Sequence, residues 1–293
     1  MSKLQIVTDS CANLSHDVIE KLGLHVLSLA YIVDGVERPA YVKGEKFDFD
    51  KFYSVIKSKT PASTSQVTPE QTKQMVRPIL EAGDDVLYVG FSSALSGTFN
   101  AVRVAFEELK EEFPDRCLCA FDTMGATLGV GRFVLKAASM RDEGKSCKEI
   151  MAWLESNVQK LLHYFTVDDL FYLKRGGRLS AAKAIIGSAL NVKPLLTMTS
   201  EGKLAPFGKA KGRKKAIDAL VDTLEFMDRE LSENTVYLVH SDAAADAEYA
   251  ANQIKEKYSG INVEYTALEP IVGTHTGPGV MAVLFMGNKE RDK

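Results

Sequence analysis

The N-terminal half of the chain alternates short apolar runs with segments of helical periodicity. Leu4–Thr8 is an apolar run that ends at polar turn residues, which predicts a strand. Asp85–Phe91 predicts a second, buried strand, and Cys117–Phe121 predicts a third. Strands separated by helices are typical of a parallel sheet that is covered on both faces. The pattern therefore predicts a three-layer α/β/α domain over residues 1–162.

Helices between these strands are predicted from apolar spacing and from N-cap residues. Thr68 with Gln71, and Ser146 with Glu149, have the spacing of capping boxes. Asp34-Gly35 predicts the turn of a hairpin within the extended segment Leu24–Val42. The predicted helices of this half are Ser15–Leu22, Phe49–Lys57, Thr68–Ala82, a segment from Phe99 to Phe113, Gly125–Arg141 and Ser146–Leu162.

The rhythm changes near Leu162, where we place a domain boundary. A hairpin over Pro194–Lys209, turning at Glu201-Gly202, is mixed with helical crossovers. This mixture predicts a second α/β domain with a mixed sheet over residues 163–293. Its other predicted elements are an extended segment His163–Val167, helices Ser180–Leu190, Lys215–Glu230 and Ala244–Tyr258, and strands Val236–His240, Val263–Leu268 and Val280–Phe285.

Composition narrows the class of protein. Of 293 residues, 45% are hydrophobic and 26% charged, and the net charge is −3. This balance suits a globular protein with a buried core, and it argues against a nucleic-acid partner, which would need a basic face. The start of the chain does not resemble a signal peptide, and no apolar run approaches the length of about 18 residues that indicates a membrane span. We therefore expect a cytoplasmic protein.

The cysteines and most of the histidines do not have the spacing of a metal site. The four cysteines contain no C-x-x-C pair, and we expect them to be reduced thiols. Cys117 and Cys119 share one face of a predicted strand. Four histidines lack ligand spacing with cysteines or carboxylates, so the sequence predicts no metal. The cysteines are Cys11, Cys117, Cys119 and Cys147, and these histidines are His16, His25, His163 and His240.

The most informative local feature is the polar loop Ser92–Thr98, between a predicted strand and a predicted helix. Backbone N–H groups and the helix dipole at such a position favour an anion such as a carboxylate or phosphate. The alternative is that Ser96 only caps the helix, because serine is a common N-cap residue. The sequence leaves both interpretations open.

Two other segments carry candidate polar groups. Thr64-Ser65-Gln66 lies in a polar loop before a helix, and such loops are common. His275 stands in the segment His275–Gly279, where glycines and a proline predict an unusual backbone path in a loop between two strands. This histidine is either a functional residue or an ordinary hydrogen-bonded loop residue.

Basic residues form two clusters in the C-terminal half. The first, around Gly176-Gly177, comprises Lys174, Arg175 and Arg178, and the second comprises Lys209, Lys211, Arg213, Lys214 and Lys215. Charge runs are usually solvated surfaces. Because of its two glycines, the first cluster is also compatible with a loop that binds phosphate. However, the chain lacks the nucleotide-binding motifs G-x-x-x-x-G-K-[ST] and G-x-G-x-x-G. A nucleotide site is therefore not predicted.

Taken together, these segments resemble the DegV family along nearly the whole chain. Two departures are small: Val67 stands where proline is usual, and Ala94 stands where glycine is common. The matching pieces, in family order, are IVTDS at Ile6–Ser10, TSQ at Thr64–Gln66, SSALSGT at Ser92–Thr98, DT with a glycine-rich helix start at Asp122–Gly131, YLKRGGRLS at Tyr172–Ser180, NVKPLL at Asn191–Leu196, KGRKKA at Lys211–Ala216 and HTGPG at His275–Gly279.

The resemblance implies a two-domain α/β protein, not an enzyme by itself, with one long-chain fatty acid such as palmitate in a tunnel between the domains and no cofactor. It implies that Thr64, Ser96 and His275 bind the carboxylate, and that a separate fatty acid kinase receives the fatty acid to form an acyl phosphate. It also allows transient membrane contact. Supporting positions in the site loops would be Ser65, Ser93, Gly97, Thr276 and Gly277, and those facing the kinase or a phosphate would be Arg178 and Arg213.

Two other functions compete with this interpretation. The first is a serine hydrolase with Ser96 as nucleophile and His275 as base, oriented by Asp9 or Asp122. The absence of a G-x-S-x-G elbow argues against it. The second is a phosphotransfer subunit, which rests on analogy of fold alone.

Overall fold

The computed structural model of the chain describes residues 2–178 and 191–292. The predicted helix Ser180–Leu190 therefore lies outside the described residues. The strands are β1 (Leu4–Asp9), β2 (His25–Leu27), β3 (Ala30–Val33), β4 (Val36–Pro39), β5 (Ala62–Ser65), β6 (Asp85–Gly90), β7 (Leu118–Asp122), β8 (Leu161–Thr166), β9 (Val192–Met198), β10 (Leu204–Lys211), β11 (Thr235–His240), β12 (Asn262–Ala267) and β13 (Met281–Met286).

The helices are α1 (His16–Lys21), α2 (Phe49–Lys57), α3 (Pro69–Glu81), α4 (Thr98–Glu112), α5 (Leu128–Asp142), α6 (Cys147–Asn157), α7 (Phe171–Arg175), α8 (Arg213–Asp222), α9 (Ala244–Lys257) and α10 (Pro270–Thr276). Eight of the helices among the described residues correspond to predicted ones, and α7 and α10 are additional. Both predicted capping boxes are present: Thr68 with Gln71 begins α3, and Ser146 with Glu149 begins α6. Among the described residues, no helix combines the length and apolar character needed to cross a bilayer.

Two compact units make up the chain. The first comprises residues 1–47 and 64–158, and the second comprises residues 48–63 and 159–293. The single boundary predicted at residue 162 does not separate out residues 48–63. This segment contains α2, whose Tyr53 hydroxyl donates a 2.7 Å hydrogen bond to the carbonyl of Leu268. A buried bond across 215 positions explains why local patterns do not assign the segment to the second unit.

The first unit is built on a parallel sheet with the strand order β2-β1-β6-β7. β1 pairs with β6 from Leu4 opposite Asp85, and β6 pairs with β7 from Val86 opposite Leu118. Residues 86–90 of β6 are all buried, so both faces of this strand are covered. Helices α3 and α4 pack against each other, as do α5 and α6, and both pairs contact the sheet. The predicted parallel, doubly covered sheet is confirmed.

The second unit holds a six-stranded mixed sheet with the order β10-β9-β8-β13-β11-β12. β11 and β12 are parallel, and the other neighbouring pairs are antiparallel. Helices α8 and α9 pack on it over a core that includes Leu220, Leu238 and Phe285, each buried to within 1% of its surface. The mixed sheet predicted for the C-terminal domain is confirmed.

Two predicted helices end earlier than expected. The helix predicted over Ser146–Leu162 ends at Asn157, and Leu161 already begins β8. Every residue of β8 is buried, and its first two residues, Leu161 and Leu162, are apolar. Periodicity alone does not distinguish such a short buried apolar stretch from the end of a helix. The helix predicted over Lys215–Glu230 ends as α8 at Asp222 and continues only as a short 3₁₀ turn.

Candidate functional site

The carboxyl ends of β1, β6 and β7 lie along one edge of the parallel sheet, because these strands run in the same direction. The polar segments predicted from sequence follow these strand ends: Asp9 at the end of β1, Ser92–Thr98 after β6, and Asp122 at the end of β7. In open α/β sheets, ligands bind outside this edge. The first unit therefore places its candidate residues where a binding site is expected.

Asp9 ties two of these strand ends together. Its fully buried carboxylate accepts hydrogen bonds from the Tyr88 hydroxyl at 2.6 Å and from the backbone N–H groups of Phe91 and Cys11, both at 2.9 Å. Burial raises the pKa of Asp9, while these donors oppose the shift. Because Asp9 accepts hydrogen bonds from three donors, one of which is the N–H of Phe91, it holds the loop after β6 in place. The sequence pattern does not indicate the role of Tyr88.

Asp122 performs a similar task on the next strand. Its carboxylate accepts hydrogen bonds from the backbone N–H of Met124 at 2.8 Å and, at longer distance, from that of Ser93 at 3.3 Å. The adjacent Thr123 hydroxyl donates to the carbonyl of Gly90 at 2.8 Å. These bonds join the loops that follow β6 and β7 into one structure.

Ser96 lies just before α4 and contacts its first turn. The Ser96 hydroxyl oxygen accepts the backbone N–H of Thr98 at 3.2 Å, and the same hydroxyl donates to the Thr98 hydroxyl at 3.1 Å. Gly97 is the N-cap residue and makes no side-chain cap. The hydrogen-bond acceptor for this N–H group of the helix start is therefore Ser96, the residue before the N-cap, and not the N-cap residue itself. This is a capping role in the first turn of α4, so donation to a ligand requires the hydroxyl proton to turn away from Thr98.

The segment Thr64-Ser65-Gln66 meets the same loop within the first unit. The Val67 backbone N–H donates to the Thr98 hydroxyl at 3.3 Å, and the Gln66 amide lies over Gly97, where a Cβ atom would overlap it. Thr64 and Ser65 form the end of strand β5 and are half-buried, so the prediction that they stand in a loop is wrong. The structure thus brings the segment that contains Thr64 to the helix start that contains Ser96.

Two residues with strained backbone lie in the loop that follows β7. Thr127, at the N-terminus of α5, has φ 53° and ψ −139°, which is a genuine outlier for a β-branched residue. Met124 has φ 46° in the same loop. Non-glycine residues persist in such conformations only where the surrounding structure enforces them, and they are frequent at ligand sites.

His275 lies in the second unit, in the last turn of helix α10, so the prediction that it stands in a loop is wrong. The helix is started by Glu269, whose carboxylate accepts the N–H groups of Ile271 and Val272. The helix begins regularly, with Glu269 as N-cap and Pro270 at the first helical position. The glycines that follow in the sequence predict a loop instead. Gly277, at φ 74°, ends the helix.

The surroundings of His275 keep it neutral. Burial lowers the pKa of His275 to about 4, and the positive charges of Arg178 and Arg175 contribute to the shift. Its Nδ1 atom lies against Gly176, where a Cβ atom would overlap the ring. The lack of a side chain at Gly176 therefore makes room for the His275 imidazole.

Ser241 fixes the backbone that follows His275, a role that no sequence pattern indicates. The buried Ser241 hydroxyl donates to the Gly277 carbonyl at 2.7 Å and accepts the Val280 N–H at 2.8 Å. Thr276, one of the expected supporting residues, donates instead to the carbonyl of Val272 within its own helix at 2.9 Å. Both hydroxyls thus stabilise the local backbone.

The two expected phosphate-facing arginines are bound within the second unit. Arg213 donates to Asp246 from Nε at 2.8 Å, and its Nη1 lies 3.5 Å from Asp168. Arg178 donates to the Gly176 carbonyl at 2.5 Å. Arg213 is therefore already paired with carboxylates, so an incoming anion would have to compete with them.

A cavity of about 420 Å³ in the second unit does not suit an anion. Each of its four carboxylates has a basic partner, for example Lys57 with Asp242 at 3.1 Å and Lys193 with Asp168 at 2.7 Å. The lining includes Asp168, Asp169, Asp242 and Asp246, with Lys57 and Tyr172. Ion-paired walls offer no unopposed donor to a carboxylate, so this cavity is not the candidate site.

The thiols of the first unit are arranged differently from the expectation. None of the four cysteines, all of which lie in the described part of the chain, forms a disulfide. However, Cys147 joins Cys117 and Cys119, and the three sulfur atoms lie within 4.8 Å of one another. A hydrogen bond from Cys147 lowers the pKa of Cys119 to about 6, and the pKa values of Cys117 and Cys147 are raised. The sequence pattern predicts that Cys117 and Cys119 share a face of one strand, but it predicts no metal site and does not indicate that Cys147 lies beside them.

Fold and site together define a two-unit α/β protein with a hydroxyl-rich loop cluster at the carboxyl edge of a parallel sheet. The family model described as "Uncharacterised protein, DegV family" matches residues 3–288, and the chain belongs to the DegV family. The predicted resemblance is thereby confirmed. A DegV domain-containing protein of Clostridium perfringens is 41% identical over 290 residues, which cover 98% of this chain and 99% of the relative. Another from Lactococcus lactis is 34% identical over 289 residues, with 98% and 99% covered.

Solved structures agree with this assignment. A DegV family protein from Thermus thermophilus, described for its fatty acid binding, superposes with a TM-score of 0.84 at 30% identity and covers 97% of this chain and 99% of its own. DegV of Bacillus subtilis, described as a fatty acid binding protein, has a TM-score of 0.83 at 28% identity, with 98% and 100% covered.

Proposed function

We propose that this protein binds one long-chain fatty acid and is not an enzyme by itself. The observation that carries the proposal is the likeness, over nearly the full chain, to DegV proteins described as binding fatty acids. The hydroxyl-rich carboxyl edge of the first unit supports it, because this edge offers donors and a helix start to an anion. The arrangement of thiols without disulfides also fits the reducing cytoplasm.

Within this function, we assign the carboxylate to Thr64 and Ser96 of the first unit and His275 of the second. A carboxylate is costly to bury unless it accepts hydrogen bonds. Two hydroxyls and a neutral imidazole can each donate one, and the low pKa of His275 keeps its ring in the neutral form at pH 7. Ser65, Ser93, Gly97, Thr276 and Gly277 would shape the loops around these donors.

Burial of the apolar tail supplies most of the binding energy. A C16 tail buried at about 0.8 kcal/mol per CH₂ group gains on the order of 10 kcal/mol before the costs of association. This gain is large enough for a fatty acid to remain bound through purification. We therefore expect retention of an endogenous ligand.

A separate kinase is the partner that this function requires, if the bound acid is to become an acyl phosphate. The described residues include no glycine-rich phosphate loop followed by lysine, which phosphoryl transfer from a nucleotide would use. In this proposal Arg178 and Arg213 face the kinase or the phosphorylated head. The ion pairs of Arg213 with Asp246 and Asp168 would then have to loosen as the partner binds.

A serine hydrolase is less well supported. Asp9 and Asp122, the two carboxylates that would orient a catalytic histidine, instead accept hydrogen bonds from backbone N–H groups of the loops at this edge. The Ser96 hydroxyl accepts the N–H of Thr98 and needs no activation to bind a carboxylate.

Mass spectrometry of denatured, purified protein from a bacterial host tests the proposal. We expect about one C14–C18 fatty acid per chain and no hydrolysis of ester substrates. Folded protein that yields no extractable lipid, and that does not take up added palmitate, would contradict fatty-acid binding. Turnover of an ester that is lost in Ser96→Ala would support the hydrolase.

A further inference from the structure

Three cysteines from separate parts of the first unit converge at one point. Cys117 and Cys119 flank the start of β7, where residues two apart point to the same face of the sheet. Cys147 is the first residue of α6, directly after its N-cap Ser146. All three sulfur atoms lie within 4.8 Å of one another, and those of Cys117 and Cys119 are 3.7 Å apart.

These sulfur spacings match a set of metal ligands better than a disulfide. With Zn–S bonds of about 2.3 Å, two thiolates on one tetrahedral zinc ion are about 3.8 Å apart, and on a trigonal ion about 4.0 Å. A disulfide requires about 2.05 Å between sulfurs. Residues two apart on a strand have Cα atoms about 6.6 Å apart, near the upper limit for a disulfide, so the pair at β7 would need distortion to form one.

The surroundings suit a charged thiolate cluster. The three cysteines are half-buried, so an ion can reach them from solvent while the site stays partly shielded. Lys110 of α4 places a positive charge near Cys119. The N-terminus of α6, where Cys147 lies, adds the favourable end of a helix dipole. Because three thiolates on a divalent ion leave a net negative charge, both features favour the bound state.

We propose that Cys117, Cys119 and Cys147 form a binding site for one thiophilic metal ion of the Zn²⁺ type. Thiolates are the ligands that such ions prefer. Each thiol that binds as a thiolate releases its proton to the solvent, so no oxidant or reductant is required. Three protein ligands leave a fourth position for water or an added ligand. This site is independent of the proposed fatty-acid site.

Zinc titration of the full-length, reduced protein tests the site. Zn²⁺ alone is added in competition with a chromophoric chelator, and bound metal is counted after gel filtration. We expect one equivalent of Zn²⁺, with an affinity that rises with pH because binding releases protons. Loss of a hydrogen-bond partner of a ligand costs roughly 10- to 100-fold in affinity, so loss of a direct ligand in Cys147→Ser should cost more than about 100-fold.

Cys11→Ala provides the matched control. Cys11 lies in the same unit but is buried beside Asp9 and is not part of the cluster, so this variant should bind zinc as the wild type does. Circular dichroism establishes that each variant is folded, and Cys119→Ser repeats the test at a second ligand. Stoichiometric binding lost in both cluster variants supports the site. No binding by reduced wild-type protein, or binding unchanged in Cys147→Ser, overturns it. So does preferential formation of a disulfide with Cys147 in a glutathione buffer at cytosolic poise.

Discussion

The side-chain amide of Gln66 lies over Gly97, in the space that a Cβ atom at position 97 would occupy. This contact joins the segment that contains Thr64 to the start of α4, beside Ser96. A glycine at this position is therefore explained by a close approach and not by its backbone, since Gly97 has ordinary helical angles, φ −73° and ψ −5°.

Gly97→Ala should separate ligand binding from stability. The backbone of Gly97 accepts alanine, so the loss of unfolded-state entropy should stabilise the protein by about 0.4–1 kcal/mol. The exposed Gln66 side chain can swing aside at little cost, but it then no longer covers the helix start. We expect palmitate affinity to fall about fivefold, which corresponds to the loss of one neutral hydrogen bond of about 1 kcal/mol.

Urea unfolding measures the effect of Gly97→Ala on stability, and a palmitate titration measures its effect on affinity. In a Gln66→Ala background, Gly97→Ala should leave affinity unchanged, and a further loss there would contradict this explanation.

Ser96→Ala should weaken fatty-acid binding more than it weakens the fold. A hydrogen bond to a charged group contributes about 1.5–3 kcal/mol, which corresponds to roughly 10- to 100-fold in affinity. A lost cap costs about 1 kcal/mol of stability. Ser15→Ala is the control, because Ser15 caps α1 by accepting the N–H of Val18 and has no assigned ligand contact. If the two variants lost equal stability and neither lost affinity, Ser96 would be only a cap.

His275 should make the unfolding free energy depend on pH. Its pKa is about 4 in the folded protein and 6.5 as the ordinary value, so the unfolded chain binds more protons between these two pH values. Stability from this residue is therefore complete above pH 6.5 and is lost as the pH falls toward 4, by on the order of 2–3 kcal/mol. Urea unfolding of delipidated protein at about pH 7 and about pH 4.5 measures the change.

The matched variant is His275→Gln, which keeps a polar side chain but does not titrate in this range. Burial also lowers the pKa values of His25 and His240, so the wild type and the variant share a background pH dependence. The difference between them isolates His275. Equal slopes in both proteins would show that His275 titrates normally and that its neutral state is not enforced.

Arg213→Gln and Asp246→Asn together test whether Arg213 serves a partner or only the fold. Both substitutions break the ion pair at 2.8 Å, but only the first removes the guanidinium. If Arg213 binds the kinase or the phosphorylated head, Arg213→Gln should reduce kinase-dependent acyl-phosphate formation, and Asp246→Asn should preserve it. Bound lipid is measured in parallel and should remain in both, because a charge that serves docking acts mainly on encounter with the partner. Equal losses of phosphorylation would assign Arg213 a structural role.

Interactions within a few residues were determined by the sequence itself. The bounds of α2, both capping boxes and the hairpin turn at Asp34-Gly35 follow from it because their hydrogen bonds and apolar spacing span only one or two turns of chain. The parallel sheet of the first unit follows from the regular alternation of strands and helices. The family resemblance likewise depends on the order of short motifs along the chain.

Relationships across long stretches of sequence were decided by the tertiary structure. The loop expected around His275 is a helix, because Glu269 and Pro270 begin it. The pKa of His275 is lowered by burial and then by Arg178, and no local pattern encodes either cause. The third thiol, Cys147, reaches Cys117 and Cys119 only because α6 begins beside β7. Local sequence patterns specify helices and strands because the contacts within these elements join residues that are close in sequence. The partners of a buried side chain are instead decided by how the elements pack against one another.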